Sequence, residues 1–478
     1  MPLDLDTVQL RSASIEPFRE LLEPTEWNTF TRAMREVAAR AHDRTIWNVN
    51  STAHGGGVAE MLAWQIPYER GVGMDSRWLV IEGDIRFFTF TKRLHALLHG
   101  IEADGSTISA GERAVYEETL ARNSEALTGR LRSDDIVILH DPQTAGLIPP
   151  LVRHGCRVVW RCHIGVDQPN QVARAAWTFL LPAVRAADAT VFSRRAYVWE
   201  GLDAKKVEII YPAIDAFTPK NQEMEPDTVG AILRATGILA PDAYGGQPSF
   251  RRRDGSPARV ERISELFPET KPPADARLVV QVSRWDRLKD PVGVLDGFAA
   301  YVAPRVEVHL ILAGPGVSAV ADDPEEAGVL AEVQDAWQRL PLEARERTHL
   351  ARLPMDDEDE NAAVVNALQR RAEVVVQKSL REGFGLTVAE AMWKARPVVA
   401  SRVGGIQDQI EDRTSGILID DPRDLAAFGG AIVDLLNNGA EAERLGAAAR
   451  ARVRREFLAP RLLMQQAQLV DRLLRSAD

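Results

Sequence analysis

Two carboxylates eight positions apart, Glu382 and Glu390, bracket a loop in which Gly383 and Gly385 flank Phe384. Glycines at such positions let the backbone come close to a ligand. The first N–H groups of the helix expected from about Thr387, with the helix dipole, suit an anionic group such as a diphosphate. Thr387 to Glu390 also reads T-V-A-E, a capping box that would by itself account for Glu390. It leaves Glu382 unexplained, a charge on a turn between two apolar stretches. About a hundred residues earlier, Arg284 and Lys289 stand on a loop between a strand and a helix. Arg offers a fork of donors to phosphate oxygens and Lys a compact point charge. Together they would neutralise a diphosphate leaving group; read singly, they are two surface cations of a Lys-Asp-rich loop.

The first half carries its own candidates at strand ends. The strand 45–50, TIWNVN, leads into Ser51-Thr52-Ala53-His54-Gly55-Gly56-Gly57 and a helix from about Val58. Three glycines in a strand-to-helix turn permit close approach of a phosphate or sugar, or mark a tight turn with unusual φ angles. The strand 136–139 ends in His140-Asp141-Pro142-Gln143, and the strand 158–162 ends in His163. No G-x-x-x-x-G-K-[ST] and no G-x-G-x-x-G is present, which excludes a P-loop and the dinucleotide fingerprint.

These loops need sheets to hold them. Further strands are expected at 77–81, 189–193 and 208–211, then at 277–283, 306–313, 349–353, 373–377 and 397–400, with helices between. Near the start, Trp27, Phe30, Met34 and Val37 share one helix face, and the C-terminus is helical at 452–457 and 461–474. Two runs of strand-helix alternation around a loop-rich middle predict an α/β protein of two Rossmann-like domains with a cleft between them. We expect an N-terminal domain over 1–275, including a Gly-, Pro- and charge-rich excursion at 219–276. A C-terminal domain is expected over 277–457, and 458–478 as a helix crossing back. In the excursion, Arg251-Arg252-Arg253 reads as a solvated face or an anion contact. The acidic run 356–360 precedes a helix and is expected to complement its N-terminus, not to hold a metal.

The chain has 478 residues, a net charge of -11 and 45% hydrophobic residues, the balance of a soluble globular protein. That charge argues against a general nucleic-acid or anionic-membrane binder. Two cysteines, Cys156 and Cys162, exclude a disulfide framework and suggest a reducing compartment. No basic-then-apolar leader and no run of 18 apolar residues is present, so a cytoplasmic location is expected.

E-G-F-G-L-T-x-x-E-A-M followed by P-V-V-A-S-x-x-G-G, with S-R-x-D-x-x-K-D upstream, resembles the donor-binding signatures of the retaining GT-B glycosyltransferases, the family of glycogen and sucrose synthases. The resemblance implies that Glu382 contacts donor-sugar hydroxyls, that Glu390 holds the nucleotide ribose, and that Arg284 and Lys289 grip the diphosphate. Gly383, Phe384, Gly385, Leu386 and Thr387 then line the donor loop. WNVNSTAHGGGVAEML, HDPQ and WRCH are similar to the glycosyltransferring trehalose synthases within that family, over about 47–457. By that likeness Gly56 and Gly57 face the diphosphate or donor sugar, and His163 is the histidine of the catalytic region. Asn50, Asp141 and Gln143 fall on the acceptor side by position. The stretch His163-Ile164-Gly165-Val166-Asp167 departs from the pattern, which has an acidic residue directly after the Ile. The implied reaction joins glucose from a nucleoside-diphosphate glucose to free glucose with retention. The resemblance favours a front-face reaction in which the departing phosphate accepts the acceptor's proton, with no settled protein nucleophile. A trehalose phosphorylase or a transferase with another sugar acceptor shares the same fold. No tightly bound cofactor is implied; Mg²⁺ would accompany the nucleotide without protein ligands. Small sugars and sugar nucleotides are the expected partners, with no nucleic acid or membrane, and a homodimer is compatible with the sequence.

Overall fold

Six short apolar segments of the first half pair side by side, all parallel: β1 (Thr45–Asn50), β2 (Asp75–Val80), β3 (Ile136–His140), β4 (Arg157–Cys162), β5 (Ala189–Phe192) and β6 (Val207–Ile209). The sheet order is β2-β1-β3-β4-β5-β6, so the chain reverses direction across the sheet between β1 and β3. At such a reversal the loops leaving the strand ends splay apart and open a crevice for ligand. The computed structural model describes residues 3, 5–54, 56–102, 105, 107–241, 245–316 and 326–475. These divide into two compact units, one holding the chain up to Ala213 with the C-terminal helix, the other Ile214–Leu458.

In the first unit β1 and β3 are buried along their whole length, as strands of a sheet covered on both faces must be. Asp135, 1% exposed, ties the starts of these strands together. Its carboxylate accepts from Thr45 N–H (2.9 Å), Trp47 Nε1–H (2.9 Å) and Arg132 N–H (3.0 Å). Asp135→Ala strands three donors, two of them buried, and should cost about 2 kcal/mol, read as a fall in the urea midpoint; an unchanged midpoint would refute the tie. Phe30, Met34 and Val37 turn the helix Pro24–Arg40 inward as their spacing predicts. The helix Ala459–Arg475, whose Leu462, Leu463, Leu469, Val470 and Leu473 are buried, packs on it, with Arg40 Nε donating to Asp471 at 2.6 Å. Cys156 and Cys162 are buried free thiols, and burial pushes Cys156 up to about 12, so it carries no thiolate chemistry.

The second unit is built on β10 (Leu278–Val282), β11 (His309–Pro315), β12 (Thr348–Leu353), β13 (Val374–Gln377), β14 (Val398–Ser401) and β15 (Ile417–Ile419), which are parallel. Before them come the hairpin β7 (Ser249–Arg251) and β8 (Pro257–Arg259), and β9 (Glu265–Phe267), which joins β12 antiparallel. The order β15-β14-β13-β10-β11-β12-β9 places the reversal between β10 and β13.

Residues 214–276 belong to this second unit, which corrects the expected boundary near 275. The helix Pro226–Ala235 packs on the helix Glu358–Arg371, and β9 extends the second sheet. Gly, Pro and charge marked an irregular surface, which composition alone cannot assign to either neighbour. Nor is the arginine cluster wholly a bare solvated face. Arg252 donates twice to Asp357 (2.9 and 2.6 Å), Arg253 pairs with Asp359 at 3.0 Å, and Arg262 pairs with Glu360. Asp357 also accepts from Glu360 N–H at 3.1 Å as the helix cap. The Arg252 fork is the main cause that pulls its carboxyl down to about 2.

Candidate active site

At the reversal of the second sheet two loops meet. The loop after β10 is stiffened from inside: Asp286 Oδ1 accepts from Leu288 N–H at 2.7 Å, and Asp290, at φ 51, caps the helix Pro291–Gly297. Leu380 N–H donates to Leu288 O at 2.7 Å, and the buried Lys378 pairs with Asp290, so the loop after β13 is stitched to it. Their tips bring Lys289 and Glu382, 93 residues apart in the chain, into a 2.5 Å contact, with Ser379 Oγ 3.2 Å from the same carboxylate oxygen. Glu382 is nearly enclosed and Lys289 less so (side chains 9% and 19% exposed). Arg284 lies half-exposed beside them in sequence, 3.9 Å from Asp286.

The glycine loop then turns into the helix Leu386–Trp393, whose first residue comes two positions before the one a T-V-A-E capping box would give. Gly385, at φ 84, occupies the cap position, and no side chain caps the helix, so the capping box does not form. Glu390 instead points into the protein, 1% exposed, with Oε1 3.6 Å from Lys220 Nζ. Phe384 also departs from its expected place. Its ring is buried against Phe457 with centroids 5.8 Å apart, which leaves only its backbone to line the loop. Thr387 Oγ1 donates to Gln377 Oε1 at 3.1 Å. The loop is pinned by Gly405, whose N–H donates to Gly383 O at 3.0 Å, and by Gln409, whose Nε2 donates to Phe384 O at 2.5 Å. A Cβ on Gly405 would lie 2.6 Å from Phe384 Cα, so the two segments touch backbone to backbone.

At the reversal of the first sheet, the turn after β1 runs to Gly56, at φ 81, which caps the helix Gly57–Gly71; Gly55 lies outside the described residues. A Cβ at Gly56 would meet nothing within 4 Å, so the turn has open space in front of it. Asn50 is committed to holding this turn: its amide donates to Thr52 O at 2.7 Å and its Oδ1 accepts from Trp78 Nε1–H at 2.7 Å. That arrangement, not a free amide for a sugar, is what the structure gives it.

The strand ends β3 and β4 carry a chain of imidazoles. Asn48 Oδ1 is 3.1 Å from His140 Nε2, and His140 Nδ1 is 3.1 Å from His163 Nε2. The rings stack at 14° with centroids 5.4 Å apart. Burial first, and the Arg161 charge second, push both histidines well below their ordinary range, so they are neutral. The Asn48 oxygen then fixes the tautomers: His140 donates to it through Nε2–H, and His163 Nε2–H donates to His140 Nδ1. Asp141, at φ 62, accepts from His163 N–H at 2.7 Å, and its own carbonyl accepts from Trp160 Nε1–H at 3.0 Å. Loss of solvent raises its carboxyl to about 7 against the opposing His163 N–H and Arg161. Gln143 Oε1 is enclosed without a hydrogen-bond partner among the described residues. Beneath this layer Arg161 Nη1 donates to Gln466 Oε1 and Gln466 Nε2 to Glu69 Oε1, both at 3.2 Å, so the C-terminal helix helps to floor the site.

Each unit therefore gathers its own predicted residues at its own reversal point. Sequence reading noted His140 as a strand-end residue without giving it a role, and did not single out Asn48, Ser379 or Lys220. Asn48, a fully buried polar residue in an apolar strand, carried a signal; Lys220, in a loop-rich stretch, carried none. Among the described residues, no group of three or more His, Cys, Asp and Glu could hold a metal ion. No described helix is long and apolar enough to cross a membrane.

Residues 48–199 match the family described as "Trehalose synthase, N-terminal domain", and 262–452 match "Glycosyl transferases group 1". The chain is 36% identical over 448 residues to a trehalose synthase of Rubrobacter xylanophilus, covering 92% of this chain and 93% of that protein. It is 26% identical to a trehalose phosphorylase of Pleurotus pulmonarius over 92% of this chain but 58% of that longer protein. Among solved structures, a UDP-forming α,α-trehalose-phosphate synthase of Burkholderia vietnamiensis superposes with a TM-score of 0.66 at 15% identity, over 91% of this chain and 98% of that one. The last comparison shows the fold, that of the GT-B glycosyltransferases.

Proposed function

The chain belongs to the trehalose synthase family of glycosyltransferases, and from that premise we propose that it makes α,α-trehalose from a nucleoside-diphosphate glucose and free glucose, with retention at the donor carbon. The observation that carries this reading is the Lys289–Glu382 contact beside the glycine loop 383–387. It presents a cation, a hydroxyl-accepting carboxylate and a helix start within one loop pair. Lys289 and Arg284 take the diphosphate, Glu382 the donor-sugar hydroxyls, Glu390 the ribose, and the amides of Leu386 and Thr387 the phosphate oxygens. In the first unit Gly56 and Gly57 give backbone approach to the donor, while His163, Asp141 and Gln143 meet sugar hydroxyls.

The bond from the donor C1 to the diphosphate oxygen breaks and a bond from C1 to the acceptor's anomeric oxygen forms on the same face. The acceptor's proton passes to the departing phosphate. Such a step needs charge stabilisation and positioning more than a strong base. Two neutral histidines and cations placed on the leaving group's side fit that need. A magnesium ion would enter with the nucleotide, and the reaction is assigned to the cytoplasm, on small molecules alone.

Purified protein offered UDP-, ADP- or GDP-glucose with free glucose and Mg²⁺ should yield an α,α-1,1-linked disaccharide by NMR. The likeness to a trehalose phosphorylase favours one second reading. Phosphate-dependent breakdown of trehalose, with no product from any sugar nucleotide, would replace the first reading with that one.

A further inference from the structure

Lys220 lies outside every motif, in the stretch that leads into the second unit, yet it is the cation that meets Glu390. A carboxylate exposed by only 1% needs a paired cation to offset its lost hydration. Two lysines approach it. Lys394, one helical turn on and itself buried, donates to Glu390 O at 3.2 Å and to Asn221 Oδ1 at 3.1 Å, not to the carboxylate. Burial lowers its ammonium to about 7, with Glu390 and Glu223 raising it and Arg370 and Lys220 lowering it. It is therefore a fading charge at neutral pH. Lys220 Nζ stands 3.6 Å from Glu390 Oε1, and its side chain keeps 21% of its surface in solvent, where an ammonium stays hydrated.

The backbone under Lys220 is not left to chance. Asn366 Nδ2 donates to Pro219 O (3.0 Å) and Gln222 O (2.9 Å), and Arg370 Nη2 donates to Gln222 O at 3.0 Å. Trp393 Nε1 donates to Asn221 O at 3.1 Å, and Asn221 Nδ2 closes the turn on Asp215 O at 3.0 Å. Side chains from two helices thus fix the carbonyls on both sides of one lysine, and one of those helices carries Glu390.

We propose that Lys220 is a positioning residue of the nucleotide site, which neutralises and aims the Glu390 carboxylate at the ribose diol, and that the segment 215–222 is part of the donor-binding machinery. The inference rests on the reading of Glu390 as the ribose contact. A diol offers two O–H donors and is best met by a carboxylate whose two oxygens are held in one orientation. Without Lys220 the buried carboxylate turns toward Lys394 or takes up a proton, and the ribose loses its acceptor.

UDP, ADP and GDP are first titrated calorimetrically in the presence of Mg²⁺. The tightest is then compared with its 2′,3′-dideoxy form on wild type, Lys220→Met, Lys220→Arg and Glu390→Gln. Wild type should prefer the ribose form. Lys220→Met should weaken it by about tenfold and abolish most of that preference, whereas Lys220→Arg should restore both and melt at the wild-type temperature. A Lys220→Met protein that keeps the full preference while Glu390→Gln loses it overturns the role of Lys220 alone. A wild type that binds both nucleotides equally overturns the ribose reading of Glu390 and this inference with it. Loss of preference that Lys220→Arg fails to restore, accompanied by a fall in melting temperature, overturns positioning in favour of a packing role.

Discussion

Lys289→Ala should lower kcat/KM for glycosyl transfer by about 100- to 1,000-fold, and Glu382→Gln should do the same, while both proteins melt at the wild-type temperature. The two side chains reach each other across the reversal of the second sheet, from loops already tied by Leu380 N–H to Leu288 O and by the Lys378–Asp290 pair. Removing one member leaves that scaffold standing, which is why the loss should fall on turnover and not on folding. On the proposed reading Lys289 has a second task besides the leaving group: it holds Glu382 where donor-sugar hydroxyls would arrive. The double variant should therefore lose far less than the product of the two single losses. Initial rates with the preferred sugar nucleotide, taken on all three variants, decide the matter. Single variants within twofold of wild type would remove these residues from the reaction.

The second large effect is at Asp141. Asp141→Asn should lower kcat/KM by about 10- to 100-fold, the worth of hydrogen bonds to a charged group, and yet raise the melting temperature at pH 8. The sign follows from the carboxyl's titration at about 7 in the folded protein against its ordinary 3.8. Between those values the folded chain keeps a proton that the unfolded chain has lost, so stability falls as pH rises through the window. Above pH 7 the whole penalty is present, about 4 kcal/mol at most for a shift of about three units. Asparagine has no such penalty, keeps an oxygen for His163 N–H, and tolerates the left-handed φ of 62. The difference in melting temperature should shrink towards zero at pH 4. A difference that does not vary with pH would show that the gain came from backbone conformation alone.

Much of the donor half was legible because its residues sit on loops that directly follow apolar strands. Arg284 and Lys289 follow β10, and Glu382 follows β13, and the reversal of strand order makes those two loops neighbours. What the linear chain hid is side-chain direction. T-V-A-E has the composition of a capping box, but Gly385 takes the cap with a positive φ, and Glu390 turns inward to Lys220. Phe384 sits between two glycines like a loop residue, yet its ring is drawn into the core against Phe457. Asn50 ends a strand at the right place for a ligand contact but is used by Trp78 and Thr52. The boundary between units was misplaced for a related reason. Proline, glycine and charge report a loop-rich surface, whereas membership was decided by β9 joining β12 and by arginines finding the acidic start of a helix far along the chain.

The first unit is closed by the last helix, Ala459–Arg475, whose apolar face covers the helix Pro24–Arg40 and whose Gln466 joins Arg161 to Glu69. During synthesis the residues of the second unit all leave the ribosome before that helix does. The first unit thus waits for residues 459–475, made after the whole of the second unit, to floor its histidine-bearing layer. A nascent chain arrested before residue 459 would expose the apolar face meant for that helix, which makes that interval the one in which chaperones have most to shield.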